Sequence, residues 1–297
     1  MQKQKQTYLI IGGVVAVVVI AVLVWWLSRG KSEPEPETEV AEVVEVKKKR
    51  ITAPQNVLPL SERPVVSLKP FSKDGGRFVS IEISQVRVPA QTAEYEIVYN
   101  IVGTSAVSAT GAKIPTPEGE AEGGLQAFMG ELSLNSLPTR TENRFGTCSA
   151  GGACINNNVD FGYITLNFDA EQKYGVNSSW TYFEKGVASS ASFDQAFTLT
   201  ADELAGASDY LLLEMMGLPD GLTGEVVTVA DDGKDGGIKP VAYQLRLSKQ
   251  LSATTGQVTF ANDEGSQLAI YDGQAWKVQS LSEPVAVADG YIYALVK

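Results

Sequence analysis

The sequence predicts an all-β head, a β-sandwich of immunoglobulin-like or similar kind, behind one N-terminal transmembrane helix and a disordered stalk. Three observations carry that prediction. Twenty uncharged residues run unbroken from Tyr8 to Leu27. A stretch rich in Pro and Glu and poor in aromatics follows. From about Gly75 onward, short runs of alternating apolar and polar residues are separated by Gly, Ser, Asn and Pro, the pattern of half-buried strands.

The expected organisation is a tail (1–7), a membrane helix (8–27), a flexible linker (28–73) and two sandwich modules (74–205 and 206–297). At about 1.5 Å per residue the apolar run spans roughly 30 Å, the hydrocarbon thickness of a bilayer. Tyr8 at one end and Trp25 and Trp26 at the other suit the headgroup layers. A removable signal peptide has a shorter core, about 7–15 residues, and a small-residue cleavage step. This run instead ends in Trp25-Trp26-Leu27-Ser28-Arg29, and no Cys follows to take a lipid. No polar face breaks it, as a soluble amphipathic helix would require.

Nearby positive charges, Lys3 and Lys5 against Arg29 and Lys31, leave the orientation almost tied. The two cysteines favour a head outside the cytoplasm. Cys148 and Cys154 are separated by Ser-Ala-Gly-Gly-Ala, a segment short and flexible enough to close a disulfide loop, which persists in oxidising compartments. With no other Cys and no His, a four-ligand zinc site lacks partners.

The absence of His excludes Ser-His-Asp and Cys-His catalysis, H-E-x-x-H zinc sites and His-ligated haem within the chain. No G-x-x-x-x-G-K-[ST] phosphate loop is present. Chemistry built on two carboxylates remains open, but the expectation is no enzyme and no cofactor. From Asp74 to Lys297 there are 28 acidic and 13 basic residues. Such a head is unsuited to nucleic acid, whose binding depends on Lys and Arg at phosphates.

Along the chain, Lys31–Glu39 alternates Pro and Glu, and Lys47–Arg50 is a basic tetrad read as solvated. Pro54, Pro59, Pro64 and Pro70 extend the stalk to about Lys73. In the head, Val79, Ile81 and Ile83 alternate with polar residues, as do Tyr95, Ile97, Tyr99 and Ile101. Further strands are expected at 124–134, 161–168, 179–183 and 191–199. Thr200-Ala-Asp-Glu203 fits a capping box, with a helix to about Ala205. Asp209–Met216 reads as a buried strand. Six short strands then follow between Ala242 and Val296, with Asp272-Gly273 and Asp289-Gly290 as turn formers. The run Ala93–Gly103 is similar to the third strand of a fibronectin type III module over eleven residues. The Trp usual on the strand before it is absent, the head's first being Trp180, so no family follows.

Three acidic or amide-rich loops offer oxygens for calcium: Asn156–Asp160, Asn262–Glu264 and, foremost, Asp231, Asp232 and Asp235. None has the spacing of a known calcium loop. Trp180, Tyr182 and Phe183 fit either a sugar surface or a core, and the core is expected. Asn177-Ser-Ser179 is a glycosylation acceptor sequence. Two long segments, 102–123 and 135–160, read as surface loops and are the expected contact surface. The function expected is a single-pass protein of the cell membrane whose head binds a protein or glycan, or has a structural role, at the envelope. The alternative is an anchored carboxylate hydrolase of wall polysaccharide.

Overall fold

The computed structural model describes residues 50–297, save 53, 55, 108–112, 115–123, 150–153, 231–237, 262 and 264. The expected tail, membrane helix and most of the linker lie outside these residues. Among the described residues no helix is long and apolar enough to cross a membrane.

Strands dominate. In the first half they are β1 (Val65–Lys73), β2 (Gly76–Gln85), β3 (Thr92–Val107), β4 (Lys113–Ile114), β5 (Gly124–Ser133), β6 (Thr139–Arg144), β7 (Gly146–Cys148), β8 (Cys154–Phe168) and β9 (Tyr174–Phe183). Then come β10 (Ser189–Ala191), β11 (Phe197–Thr200), the helix α1 (Asp202–Ala207) and β12 (Tyr210–Glu214). The rest are β13 (Thr228–Ala230), β14 (Ile238–Pro240), β15 (Ala242–Leu247), β16 (Thr254–Phe260), β17 (Gln267–Tyr271), β18 (Trp276–Gln279), β19 (Val285–Val287) and β20 (Ile292–Val296).

One long sheet runs β18-β17-β20-β15-β12-β9-β8-β3-β4, with β5 also on β3 and β7 on β8. Two smaller sheets, β1-β2-β6 and β10-β11-β16-β19, complete the sandwich architecture, and β13 and β14 form a separate ladder. The strand ladders are antiparallel. Lys49–Lys297 form one compact unit.

Because successive side chains of a strand point to opposite faces, paired residues trace rows across the long sheet. On one face Trp180, Leu213, Gln244, Ile292 and Tyr271 stand directly opposite one another in turn. On the other face the row is Phe161, Thr181, Leu212 and Leu245. A first core joins the first face to β1 and β2, with Val66, Leu68, Ile81 and Trp180 fully buried. A second core joins the other face to β11, β16 and β19, with Phe197, Leu199 and Tyr243 fully buried. β12 serves both: Leu211 and Leu213 enter the first core, Tyr210 and Leu212 the second. The expected module boundary at 205/206 therefore lies just before a strand whose two faces belong to different cores.

Several expectations need correction. The linker was expected to run to Lys73, yet Val65–Lys73 is strand β1, paired residue for residue with β2 apart from one register shift. Its Pro70 is tolerated because β1 is the edge of its sheet, where a missing N–H costs no ladder bond. Residues ahead of β1 are engaged as well. Arg50 Nε donates to Glu96 Oε1 (3.1 Å), Thr52 O accepts from Asn167 Nδ2 (3.1 Å), and Val57 bridges Gly175 in parallel. Arg50 is thus engaged with a buried carboxylate, while the other tetrad residues lie outside the described ones.

The expected loop 135–160 is largely strand: β6, β7 and the first part of β8. Its amides, which read as loop composition, bond across to the β1-β2-β6 sheet, with Asn156 Oδ1 accepting from Arg144 Nη2 (2.9 Å) and Asn158 Oδ1 from Arg77 Nη1 (3.1 Å). Much of the other expected loop, 102–123, lies outside the described residues, but β3 continues to Val107 and β4 occupies Lys113–Ile114. The single strand expected at 191–199 is interrupted between β10 and β11 by a turn in which Gln195 has φ 59°. Helix α1 forms, but its N-cap is Ala201, without a side-chain cap bond. Thr200 instead bonds Ser189 (2.9 Å), and the Glu203 carboxyl, held below its ordinary range, takes the Thr254 hydroxyl. Asp289-Gly290 joins β19 to β20 in different sheets rather than closing a hairpin.

The cysteine pair is a disulfide. Cys148 and Cys154 face each other at the end of the β7–β8 ladder, with Cα atoms 4.0 Å apart.

Candidate functional site: a polar cleft behind the first strand

β1 separates the first core from a cleft. Val66 and Leu68 enter the core, so Val65 and Ser67 point the other way. With Glu82, Ser84 and Gln85 of β2 they form one wall of a cleft of about 600 Å³. The floor continues the row that starts at Trp180. Past Leu213 come Gln244 and Ile292, then Tyr271, and Arg246 lies beside Gln244 on the same face of β15. Gly273, Asp289-Gly290 and Pro219-Asp220 close the rim. This volume lies within the ~300–1,000 Å³ range of small-molecule sites.

Polar groups dominate the lining, and three of them are unmet. Among the described residues, seven buried side-chain N or O atoms lack a hydrogen-bond partner, and Ser67 Oγ, Gln244 Oε1 and Arg246 Nε all line this one cleft. Gln244 is 6% exposed; its Nε2 donates to Gly290 O (3.3 Å) while its oxygen has no donor. Arg246 Nε stands 3.7 Å from Asp289 Oδ1, an ion pair too long for a hydrogen bond. Each unmet buried group costs about 1–3 kcal/mol, and native proteins carry few of them.

The cleft's carboxylates differ in how they are held. Asp289 Oδ2 accepts from Lys69 Nζ (3.2 Å) and Oδ1 from the Leu247 amide (2.9 Å). Asp220 accepts from Arg87 Nη2 (2.9 Å) and Gln85 Nε2 (3.2 Å), and these hydrogen bonds keep its carboxyl below the usual range. Among the described residues no hydrogen bond or ion pair engages the carboxylate of Glu82, the remaining acid of the lining. Gly290 is required by its surroundings: its φ is 84°, and a Cβ there would sit 3.0 Å from Arg246 Nη1. The Tyr271 ring is set in place by its hydroxyl, which donates to Gly273 O (3.2 Å), and by Trp276, whose ring lies 5.3 Å away. Trp276 Nε1 in turn donates to Pro219 O (3.3 Å).

The other face carries a smaller feature. Phe161, Tyr163 and Phe193 pack together with ring centroids 4.9–6.2 Å apart, and Tyr163 and Phe193 remain exposed. They lie where the second core ends.

The residues singled out from sequence fall elsewhere. Trp180 and Tyr182 are buried in the first core, and Phe183 packs against the second. Asp231, Asp232 and Asp235 lie outside the described residues, as do Asn262 and Glu264. In Asn156–Asp160 the oxygens of Asn156, Asn158 and Asp160 accept from N–H donors, including Asn100 Nδ2 and the Phe161 amide on Asp160, while Asn157 Nδ2 donates to Gln126. Among the described residues no group of three acidic, His or Cys side chains converges to hold a metal. Asn177 is described on β9, its oxygen accepting from Thr165 Oγ1 (2.6 Å).

The cleft residues were missed because Gln244 and Arg246 read as the wet face of an ordinary half-buried strand. The one available signal was Gln and Arg interleaved with Tyr243, Leu245 and Leu247. Nothing in that pattern reports that β1 roofs the polar face. Against family models, curated proteins and solved structures, the chain has no match.

Proposed function

We propose that this chain is a single-pass membrane-anchored protein whose β-sandwich head lies outside the cytoplasm and binds a small polar ligand in the cleft at the cell envelope. The observation that carries the reading is the gathering of three unmet buried polar atoms in the lining of one cleft. The Tyr8–Leu27 run supports the anchor, and the Cys148–Cys154 disulfide supports an oxidising compartment. In this reading the head is two sandwich modules fused through β12 rather than strung on a linker.

The state of the carboxylates supports binding over hydrolysis. A glycosidase needs two carboxylates able to act as acid and as base or nucleophile. Here Asp289 and Asp220 are committed to Lys69 and Arg87, which leaves Glu82 alone.

The test has two parts. The full-length protein stays in membranes through an alkaline carbonate wash, and external protease cleaves the head in intact cells. In a thermal-shift screen of small metabolites, at least one compound raises the melting temperature, and Gln244→Met removes that shift. Release by carbonate, or a head protected from external protease, would sink the anchored reading.

A further inference from the structure

We infer that the cleft takes a neutral saccharide, from a monosaccharide to a short oligosaccharide, whose ring lies against Tyr271 and whose hydroxyls meet Gln244 and Arg246. The inference rests on the binding reading above and names the ligand class of that site.

The argument is one of matching donors and acceptors. Gln244 Oε1 lacks a donor, whereas Arg246 Nε lacks an acceptor within hydrogen-bond reach. An ionised carboxylate only accepts, so it would serve Arg246 but leave Gln244 Oε1 unmet. Phosphate near neutral pH keeps an O–H, but either anion would face Glu82 and Asp289 across the cleft. An ammonium only donates; it would serve Gln244 and Glu82 and leave Arg246 unmet. A hydroxyl does both. A small molecule bearing several hydroxyls satisfies Gln244, Arg246 and Ser67 together without adding charge to a site whose charges are already largely paired.

The far end of the floor supplies the second half of the match. A pyranose has an apolar C–H face as well as its hydroxyls. The Tyr271 ring is pinned at its hydroxyl by Gly273 and braced by Trp276, so a flat apolar surface is held ready beside the polar floor. Such preorganisation spares the ordering cost of binding. The three unmet atoms are themselves shielded from water, so binding includes side-chain rotations that turn them toward the ligand.

The test uses the full-length chain in a detergent without a sugar headgroup. Calorimetry is run with glucose, galactose, mannose, N-acetylglucosamine and chitobiose, and in parallel with amino acids, spermidine and inorganic phosphate. We expect at least one neutral sugar to bind. Gln244→Met and, at the partly exposed rim, Tyr271→Leu should each weaken it about tenfold, the loss of a single good contact, with circular dichroism unchanged. Two variants of different burial keep a folding defect in one from deciding the result. Sugar binding that neither variant weakens would overturn the inference by placing the site elsewhere. Binding of only phosphate, spermidine or an amino acid, lost in both variants, would overturn the ligand class and leave the binding reading standing. No binding from any class would overturn both. Cleavage of chitobiose that depends on Glu82 would keep the ligand class and overturn the non-catalytic reading.

Discussion

The two faces of the long sheet meet the same problem at their margins and resolve it differently. Each face is covered over part of its width by a small sheet, and each runs on past the edge of its cover. Beyond the first core the row changes at one step, from Leu213 to Gln244, whose oxygen is an unmet acceptor with the unmet donor Arg246 Nε beside it, before Ile292 enters a third apolar cluster. Beyond the second core the change is from Thr181 to Phe161, and three aromatic rings close on one another. The rings satisfy themselves by mutual contact. The polar floor does not, and an element that leaves stability unclaimed is where a ligand has most to contribute.

The largest effects are expected in the cores, and they test whether the two halves are independent. Trp180→Ala in the first core and Phe197→Ala in the second should each cost ~3–5 kcal/mol. Because β12 gives alternate residues to both cores, each variant should lower one common calorimetric transition. Two separated transitions, only one of which moves, would break the comparison into two autonomous modules.

Alkali should loosen both halves in the same window. Burial pushes the hydroxyls of Tyr174, in the first core, and Tyr210, in the second, up to about 12. A group whose folded pKa is raised contributes stability that is complete below its unfolded pKa, ~10 for tyrosine. That contribution is lost as pH climbs from there through about 12. Thermal melts should hold steady to about pH 9–10 and then fall, while absorbance near 295 nm rises as the buried tyrosines ionise. Unfolding that begins well below pH 9 without tyrosine ionisation would contradict this.

The margins should both respond weakly to substitution. Gln244→Met removes an unmet buried acceptor but also the Nε2 bond to Gly290 O, so the two nearly offset and stability should change by less than about 1 kcal/mol. Phe193→Ser, on the exposed side, should change stability by less than ~1 kcal/mol, in the manner of a surface substitution. Chemical denaturation of both variants reads the size, and a loss at Gln244→Met well beyond that of one hydrogen bond would show that its oxygen has a partner in solution.

How much of this was legible in the sequence depended on which period each strand carried. β2 and β3 could be read because Val79, Ile81 and Ile83, and Tyr95, Ile97, Tyr99 and Ile101, alternate with polar residues, and both strands have one face in a core. β1 could not, since Pro64 and Pro70 made it resemble stalk. Only its place at a sheet edge, a tertiary fact, makes Pro70 acceptable. Asn156, Asn157 and Asn158 looked like a loop because their composition hides partners, Arg144, Gln126 and Arg77, that are distant in sequence. The cleft was illegible for a related reason. Gln244 and Arg246 are polar residues on a strand, and whether that face is wet or roofed is decided by Val65 and Ser67, roughly 180 positions away.

The position of β1 also bears on mechanics. It is the first strand after the segment that comes from the predicted membrane helix, and its outward side chains are a wall of the cleft. A pull between the bilayer and a captured ligand would run along residues 50–64 and reach that wall before any other strand. Its first resistance would be the contacts of Arg50 with Glu96, Thr52 with Asn167 and Val57 with Gly175. In the reading proposed above, tension would therefore reach the cleft through β1, the strand that carries Ser67.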